Sequence, residues 1–351
     1  MPNPKTRETA KRIGGTLLAV SAALAASALY AQVRTRQAER EFPPTGDFID
    51  IDRVRLHYID RGEGPPVVLV HGNGSMINDF MLSRIVDKLA ETNRVIVFDR
   101  PGYGYSDRPD FRNFDPRSQA ALLRRALLRL HVEDPVIVGH SWGTLVALWM
   151  GIMHPDSIRG LVLMSGYYYP TLRLDVPLLS MPAVPYLGTF LRYTISPTLS
   201  RALWPLIKRR LFGLKGPTEP FDSDYPIWMG LRPGALYASA SETAMLRSAA
   251  SELAPQFARL KVPVTLIAGE NDLLVSTRAQ TQRLHKALRT STMRIIKGAG
   301  HMVHHEAPEE VVLAIRTALA APAPGQLQQV SGTANITAHD LYGTHKGISH
   351  G

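Results

Sequence analysis

Residues 135–144 read Pro-Val-Ile-Val-Gly-His-Ser-Trp-Gly-Thr. The run Pro135–Val138 is short, apolar and β-branched, like a strand buried on both faces, and Thr144–Met153 has the length of a helix. Only Gly139-His140-Ser141-Trp142-Gly143 is left to turn the chain between them. A strand-to-helix turn that sharp crowds the positions two before and two after its apex, so both must be small, and both are glycine. The apex, Ser141, is thereby held at the carboxyl edge of a sheet, beside the positive end of a helix.

Working outward, the same kind of run recurs at Val67–Val70, Val95–Phe98, Leu161–Met164 and Val264–Ala268, and more weakly at Met293–Ile296. Phe48–Ile51 and Arg53–Asp60 alternate apolar and polar residues instead, as an antiparallel pair with one wet face does. Helical stretches such as Arg117–Leu130 lie between the runs. The sequence therefore predicts an α/β fold, a doubly wound and mostly parallel sheet. The alternation breaks over 167–258, rich in proline and aromatics, which reads as an inserted cap of short, proline-broken helices. The core is then 41–166 and 259–321. Residues 322–351 lack the apolar surface to offset their ordering entropy and are expected to be disordered.

A serine hydroxyl needs a base to accept its proton, and the base needs an orienting acid. Val264–Ala268 is followed by Gly269-Glu270-Asn271-Asp272, and Met293–Ile296 by a loop ending in Gly298-Ala299-Gly300-His301. Both loops leave the sheet at the edge that carries Ser141. His301 is the expected base. Asp272 is preferred to Glu270 as the acid because it lies further past its strand. His304 and His305 are expected at the start of the next helix, solvated or capping. His71-Gly72-Asn73-Gly74 follows the strand Val67–Val70, and glycines there let a backbone N–H approach a reacting carbonyl. The oxyanion hole is assigned to the backbone N–H groups of Asn73 and Trp142, with His71, Gly72, Gly74, Gly139 and Gly143 as supporting turns.

Four motifs in this order, HGNG (71–74), DRPGYGYSD (99–107), GHSWG (139–143) and the Asp272/His301 pair, resemble the α/β-hydrolase superfamily over about residues 48–320. The resemblance is to the branch with a lid after the sixth strand. It implies acyl transfer to Ser141, hydrolysis by water, no cofactor or metal, and a purely structural role for Asp99 and Ser106. One departure is Thr144, where many relatives carry a second glycine. Epoxide hydrolases and haloalkane dehalogenases attack alkyl carbon with an aspartate, so a serine argues against both. The expected function is cleavage of an apolar ester. Carbon–carbon hydrolases and perhydrolases use the same triad and stay open as alternatives, as does a non-catalytic binding protein.

Composition narrows the partners. Hydrophobic residues make up 45% and charged residues 20%, enough for a large core and incompatible with global disorder. With no cysteine, thiol nucleophiles and Cys-ligated metals are excluded. The net charge of +10 is concentrated in residues 1–40 and 171–220, each with seven Lys/Arg against two acids. That distribution suits an anionic membrane surface better than nucleic acid, and no nucleic-acid-binding pattern is present. The first of these regions flanks the uncharged run Ile13–Val33, whose 21 residues span about 30 Å as a helix. An uncleaved membrane anchor is the expectation. A signal peptide cleaved after Ala26-Ser27-Ala28, leaving an exported enzyme, is the alternative.

Overall fold

A computed structural model of the chain describes residues 4–109, 114–288 and 290–322. The tail past Pro322 lies outside the described residues. Eight strands form one sheet: β1 (Asp47–Ile51), β2 (Val54–Arg61), β3 (Pro66–Val70), β4 (Arg94–Phe98), β5 (Val136–His140), β6 (Gly160–Met164), β7 (Val264–Gly269) and β8 (Ser291–Ile296). Their order is β1-β2-β4-β3-β5-β6-β7-β8. The β1/β2 and β2/β4 pairings are antiparallel and the rest parallel. The strands are those predicted by the apolar runs and, for β1 and β2, by the alternating stretches.

The chain starts with α1 (Pro4–Glu41), and the core helices are α2 (Ile77–Leu82), α3 (Ile85–Ala90), α4 (Pro116–Arg129) and α5 (Gly143–Met153). Between β6 and β7 come α6 (Val176–Ser180), α7 (Leu187–Tyr193), α8 (Ser196–Phe212), α9 (Glu219–Asp224), α10 (Ile227–Gly230) and α11 (Pro233–Leu253). After β7 follow α12 (Arg283–Ala287), α13 (Val303–Glu306) and α14 (Pro308–Leu319).

Alternate residues of each central strand feed opposite cores. On β3, Val68 and Val70 pack with α4 and α5, whereas Val67 and Leu69 pack with α2, α3 and α14. Covering both faces explains the continuous apolar runs. Strand order reverses between β3 and β5, whose successors leave to opposite sides, so a crevice opens at the carboxyl ends of these two strands. Ser141 and the HGNG loop stand at that crevice.

The inserted segment is helical but not uniformly short. α11 runs for 21 residues, and α8 for 17 with Pro205 inside it. A proline costs a helix one N–H donor and a clash with the preceding turn, and α8 absorbs this on a largely exposed stretch.

At 38 residues, α1 is about 57 Å long. It is long and apolar enough to cross a membrane, by length and composition, and its most apolar stretch is not buried against the rest of the chain. Its second half packs on the body. Ala31 and Ala38 are buried with Trp228, Met229 and Leu231, and the Ser27 hydroxyl donates to the Thr194 carbonyl at 2.6 Å and lies 2.9 Å from Thr198 Oγ1.

Candidate active site

Ser141 has φ 51°, a left-handed conformation that side chains rarely adopt. Its N–H is tied to the Met164 carbonyl at 2.9 Å. The two glycines of the turn leave no room for anything larger. A Cβ on Gly139 would lie 2.7 Å from the Gly143 carbonyl oxygen, and one on Gly143 would lie 2.2 Å from that of Val70. Thr144 donates its hydroxyl to the Ser141 carbonyl at 2.6 Å. This third residue after the apex is accommodated because Gly166 faces it: a Cβ there would meet Thr144 Oγ1 at 2.4 Å.

The structure brings Asp272 and His301 together. Asp272 Oδ2 lies 2.7 Å from His301 Nδ1, with both side chains almost wholly buried. Asp272 Oδ1 accepts from the N–H groups of Leu274 and Val275 at 2.8 and 2.9 Å, which fixes the carboxylate. Glu270 is elsewhere, exposed and accepting from the Gly298 N–H at 3.0 Å. His301 is held from behind by His140, whose Nε2 lies 3.1 Å from the His301 carbonyl oxygen. Burial, aided by His304 and His301, keeps His140 neutral by lowering its pKa well below the usual imidazole value, so Nε2–H is the donor. The residue next to Ser141 thus touches the residue expected to act as its base. The Ser141 hydroxyl itself makes no hydrogen bond to the His301 ring among the described residues.

Gly72 stands against the serine: a Cβ on it would meet Ser141 Cβ at 3.1 Å. The loop is positioned by a buried network that the sequence does not announce. Arg100, fully buried, donates to the His71 and Gly72 carbonyls, each at 2.8 Å, and to Gln119 Oε1 at 3.0 Å. Its charge is met by both oxygens of Glu242 on α11. Tyr103 donates its hydroxyl to Glu242 at 2.8 Å, and the same oxygen lies 3.1 Å from Asn73 Oδ1. Asn73 Nδ2 donates to the Ser239 carbonyl and to Thr243 Oγ1, both at 3.1 Å. Burial, and then the Arg100 charge, lower the pKa of His71 to about 4. The neutral ring donates from Nδ1 to the Gly72 carbonyl and accepts the Arg100 N–H at Nε2. Trp142 begins α5 with helical backbone angles, so its N–H belongs to the positive end of that helix.

Exchanging Glu242 for glutamine should leave Arg100 as an uncompensated buried charge and cost about 3–5 kcal/mol of stability. Urea unfolding of the full chain in detergent checks this; a change within error would mean that Arg100 draws its compensation from the carbonyls alone.

His304 and His305 are buried, not solvated. Both direct Nε2 at Asp79 Oδ1, at 3.0 and 2.8 Å, and Ser75 donates to Asp79 Oδ2 at 2.8 Å. Burial opposes ionisation of Asp79, but the two imidazoles hold its pKa well below the usual carboxylate value. α13 is only four residues long and faces inward onto α2, so a helix start that would be wet on an isolated helix is sealed here. Asp99 accepts from the backbone N–H groups of Ile77 and Tyr105 and lies 2.7 Å from His57 Nδ1, and Ser106 donates to the Asp99 carbonyl. Both belong to the turn scaffold.

A groove of about 1030 Å³ lies apart from these residues. Its walls come from α1, the loop at Gly102–Arg108 and the inserted helices, and none of Ser141, Asp272 and His301 lines it.

The fold is that of a hydrolase family. A family model described as the alpha/beta hydrolase fold matches residues 65–308, and the chain belongs to that family. It is similar to a 2-(acetamidomethylene)succinate hydrolase of Mesorhizobium japonicum, 29% identical over 273 residues that make up 76% of this chain and 92% of the relative. It is also similar to haloalkane dehalogenase 2 of Mycobacterium tuberculosis, 25% identical over 78% of this chain and 94% of that one. Among solved structures, a membrane phospholipase A described as a novel bacterial virulence factor shares the fold. Its TM-score is 0.61 at 19% identity, covering 93% of this chain and 99% of that one.

Proposed function

We propose that this chain is a serine hydrolase that cleaves an ester, or a related acyl bond, of an apolar small molecule without a cofactor. The observation that carries the reading is Ser141, held at positive φ on the carboxyl end of β5, with the buried Asp272–His301 pair on loops from the same sheet edge. In this reading His301 takes the Ser141 proton as Oγ attacks the acyl carbon. Asp272 holds the imidazole in the tautomer with Nδ1–H and stabilises the imidazolium. The N–H groups of Asn73 and Trp142 receive the oxyanion. Expulsion of the alcohol, protonated by His301, leaves an acyl-enzyme that water opens by the same route. Hydrolases free of substrate often hold the nucleophile and base loosely and tighten them in the complex.

The relative named a haloalkane dehalogenase does not lead to that chemistry here, because displacement at alkyl carbon calls for a carboxylate nucleophile and position 141 is serine. Residues 167–258 act as the cap over the crevice, with α11 tied to the HGNG loop through Glu242, Ser239 and Thr243. The chain is held in a membrane by the uncleaved segment 13–33. Support comes from Ser27, Ala31 and Ala38: cleavage after Ala28 would sever a helix built into the body and remove the Ser27 hydrogen bonds.

The test combines a fluorophosphonate probe with a panel of p-nitrophenyl esters of rising acyl length and a vinylogous-diketone substrate. Covalent labelling at Ser141 with turnover of the longer esters is expected. Labelling with turnover of the diketone alone would reassign the enzyme to carbon–carbon cleavage. No labelling and no turnover would end the serine mechanism.

A further inference from the structure

Twenty-five large hydrophobic side chains are exposed among the described residues, and their distribution is uneven. Seven lie on α1, fifteen fall within 172–214, and three are scattered over the remainder. Soluble monomers rarely gather so much apolar surface in one place. On α8 the exposed residues Leu199, Leu203, Leu206 and Ile207 are spaced i, i+4, i+7, i+8, one continuous stripe of a helix. Such a stripe ordinarily faces a core. The core contact of α8 is made by different residues, Trp204, Leu211 and Phe212, which pack with Phe221, Tyr225 and Met302. The helix is apolar on two sides, and none of the four stripe residues joins a hydrophobic core cluster. α7 continues the pattern with Leu187, Phe190 and Tyr193 exposed.

A second observation fixes what covers this face. Ser27 is hydrogen-bonded to Thr194 and Thr198, where α7 ends and α8 begins. Ser27 lies six residues inside the end of the apolar segment at Val33, or about 9 Å along the helix axis. If 13–33 fills the hydrocarbon, Thr194 and Thr198 stand at the depth of Ser27, below the headgroups. The groove between α1 and the insertion, lined there by Ala25, Leu29, Tyr193 and Pro197, lies at the same level. Arg209 and Arg210, exposed at the far end of α8, supply positive charge of the sign that anionic headgroups attract.

We infer that the outward face of α7 and α8 is immersed in the lipid bilayer beside α1, so that the protein is held by a monotopic surface as well as by its anchor. This rests on the anchor reading above and adds a site to it. The surface is an extended one, and its partner is the acyl-chain region of the membrane.

The absence of cysteine makes a direct test available in the full chain. Single variants Leu17→Cys on α1, Leu199→Cys and Leu206→Cys on α8, and Leu313→Cys on α14 would carry an environment-sensitive fluorophore. The protein would be reconstituted in phosphatidylcholine/phosphatidylglycerol vesicles, with and without acyl-chain doxyl lipid. The labels at 199 and 206 are expected to shift to the blue and to lose fluorescence to doxyl lipid as the label at 17 does, while the label at 313 is quenched only by aqueous iodide. Quenching at 17 with 199 and 206 behaving like 313 would overturn the immersed face and leave the anchor standing. Labels at 199 and 206 shielded from both quenchers would mean a second protein copy covers the face, and would overturn it too. Failure of every label to meet doxyl lipid would remove the anchor reading and this one together.

Discussion

Replacing Ser141 with alanine is expected to lower turnover by several powers of ten while the protein still folds. In the proposed mechanism only the nucleophile is lost: the Asp272–His301 pair, the HGNG loop and the glycines of the turn stay in place. Alanine inherits the left-handed backbone of the serine, which costs a side chain about 1–2 kcal/mol. Its melting temperature should therefore match the parent, and Ser141→Gly, free of that strain, should be equally inactive and no less stable. Kinetics on the longest accepted ester, with thermal melts of each variant, check both halves. A Ser141→Ala enzyme keeping a tenth of the parental turnover would sink the covalent mechanism.

Asp272→Asn should lose about 10⁴-fold in kcat, by analogy with the same exchange in serine proteases, where the wrong imidazole tautomer is left facing the nucleophile. Glu270→Gln should change kcat little, since Glu270 is exposed and bonded to the Gly298 N–H, not to His301. The comparison is sharp because the two carboxylates lie two residues apart on one loop. The reverse ranking would transfer the orienting role to Glu270 and contradict the 2.7 Å contact between Asp272 and His301.

Much of this architecture is legible in the sequence because its signals are local. A strand buried on both faces is apolar at nearly every position, and so β3 to β7 stand out as short runs. The turn at Ser141 declares itself through two glycines at a fixed spacing. Asp272 and His301 follow from loops that leave the same sheet edge. What sequence cannot supply is the partner of a buried charge far along the chain. Arg100 sits in a stretch that reads as a turn, and Glu242 in one that reads as an ordinary helix; 142 residues separate them. The only local hint is a glutamate amid the small residues of α11. His304 and His305 lie on the helix the sequence predicts, but their burial is hidden for the same reason, because Asp79 lies 225 residues from His304. Length in the insertion was also hidden: Pro205 looks like a stop, yet α8 runs through it.

The two glycines that flank His140-Ser141-Trp142 also govern how this chain can evolve. Every amino acid that a mutation can put in place of glycine carries a Cβ, and at 139 and 143 that atom would fall within 2.7 and 2.2 Å of a backbone oxygen. Side-chain repacking cannot make that space, since the obstruction is main chain. These positions have no viable neighbour in sequence space and act as fixed points through which descent cannot drift. The outward stripe of α8 is the opposite case: leucine, isoleucine, methionine or phenylalanine would serve there equally. Divergence among descendants of this chain is therefore channelled away from the turn that holds the serine and into the inserted helices between β6 and β7.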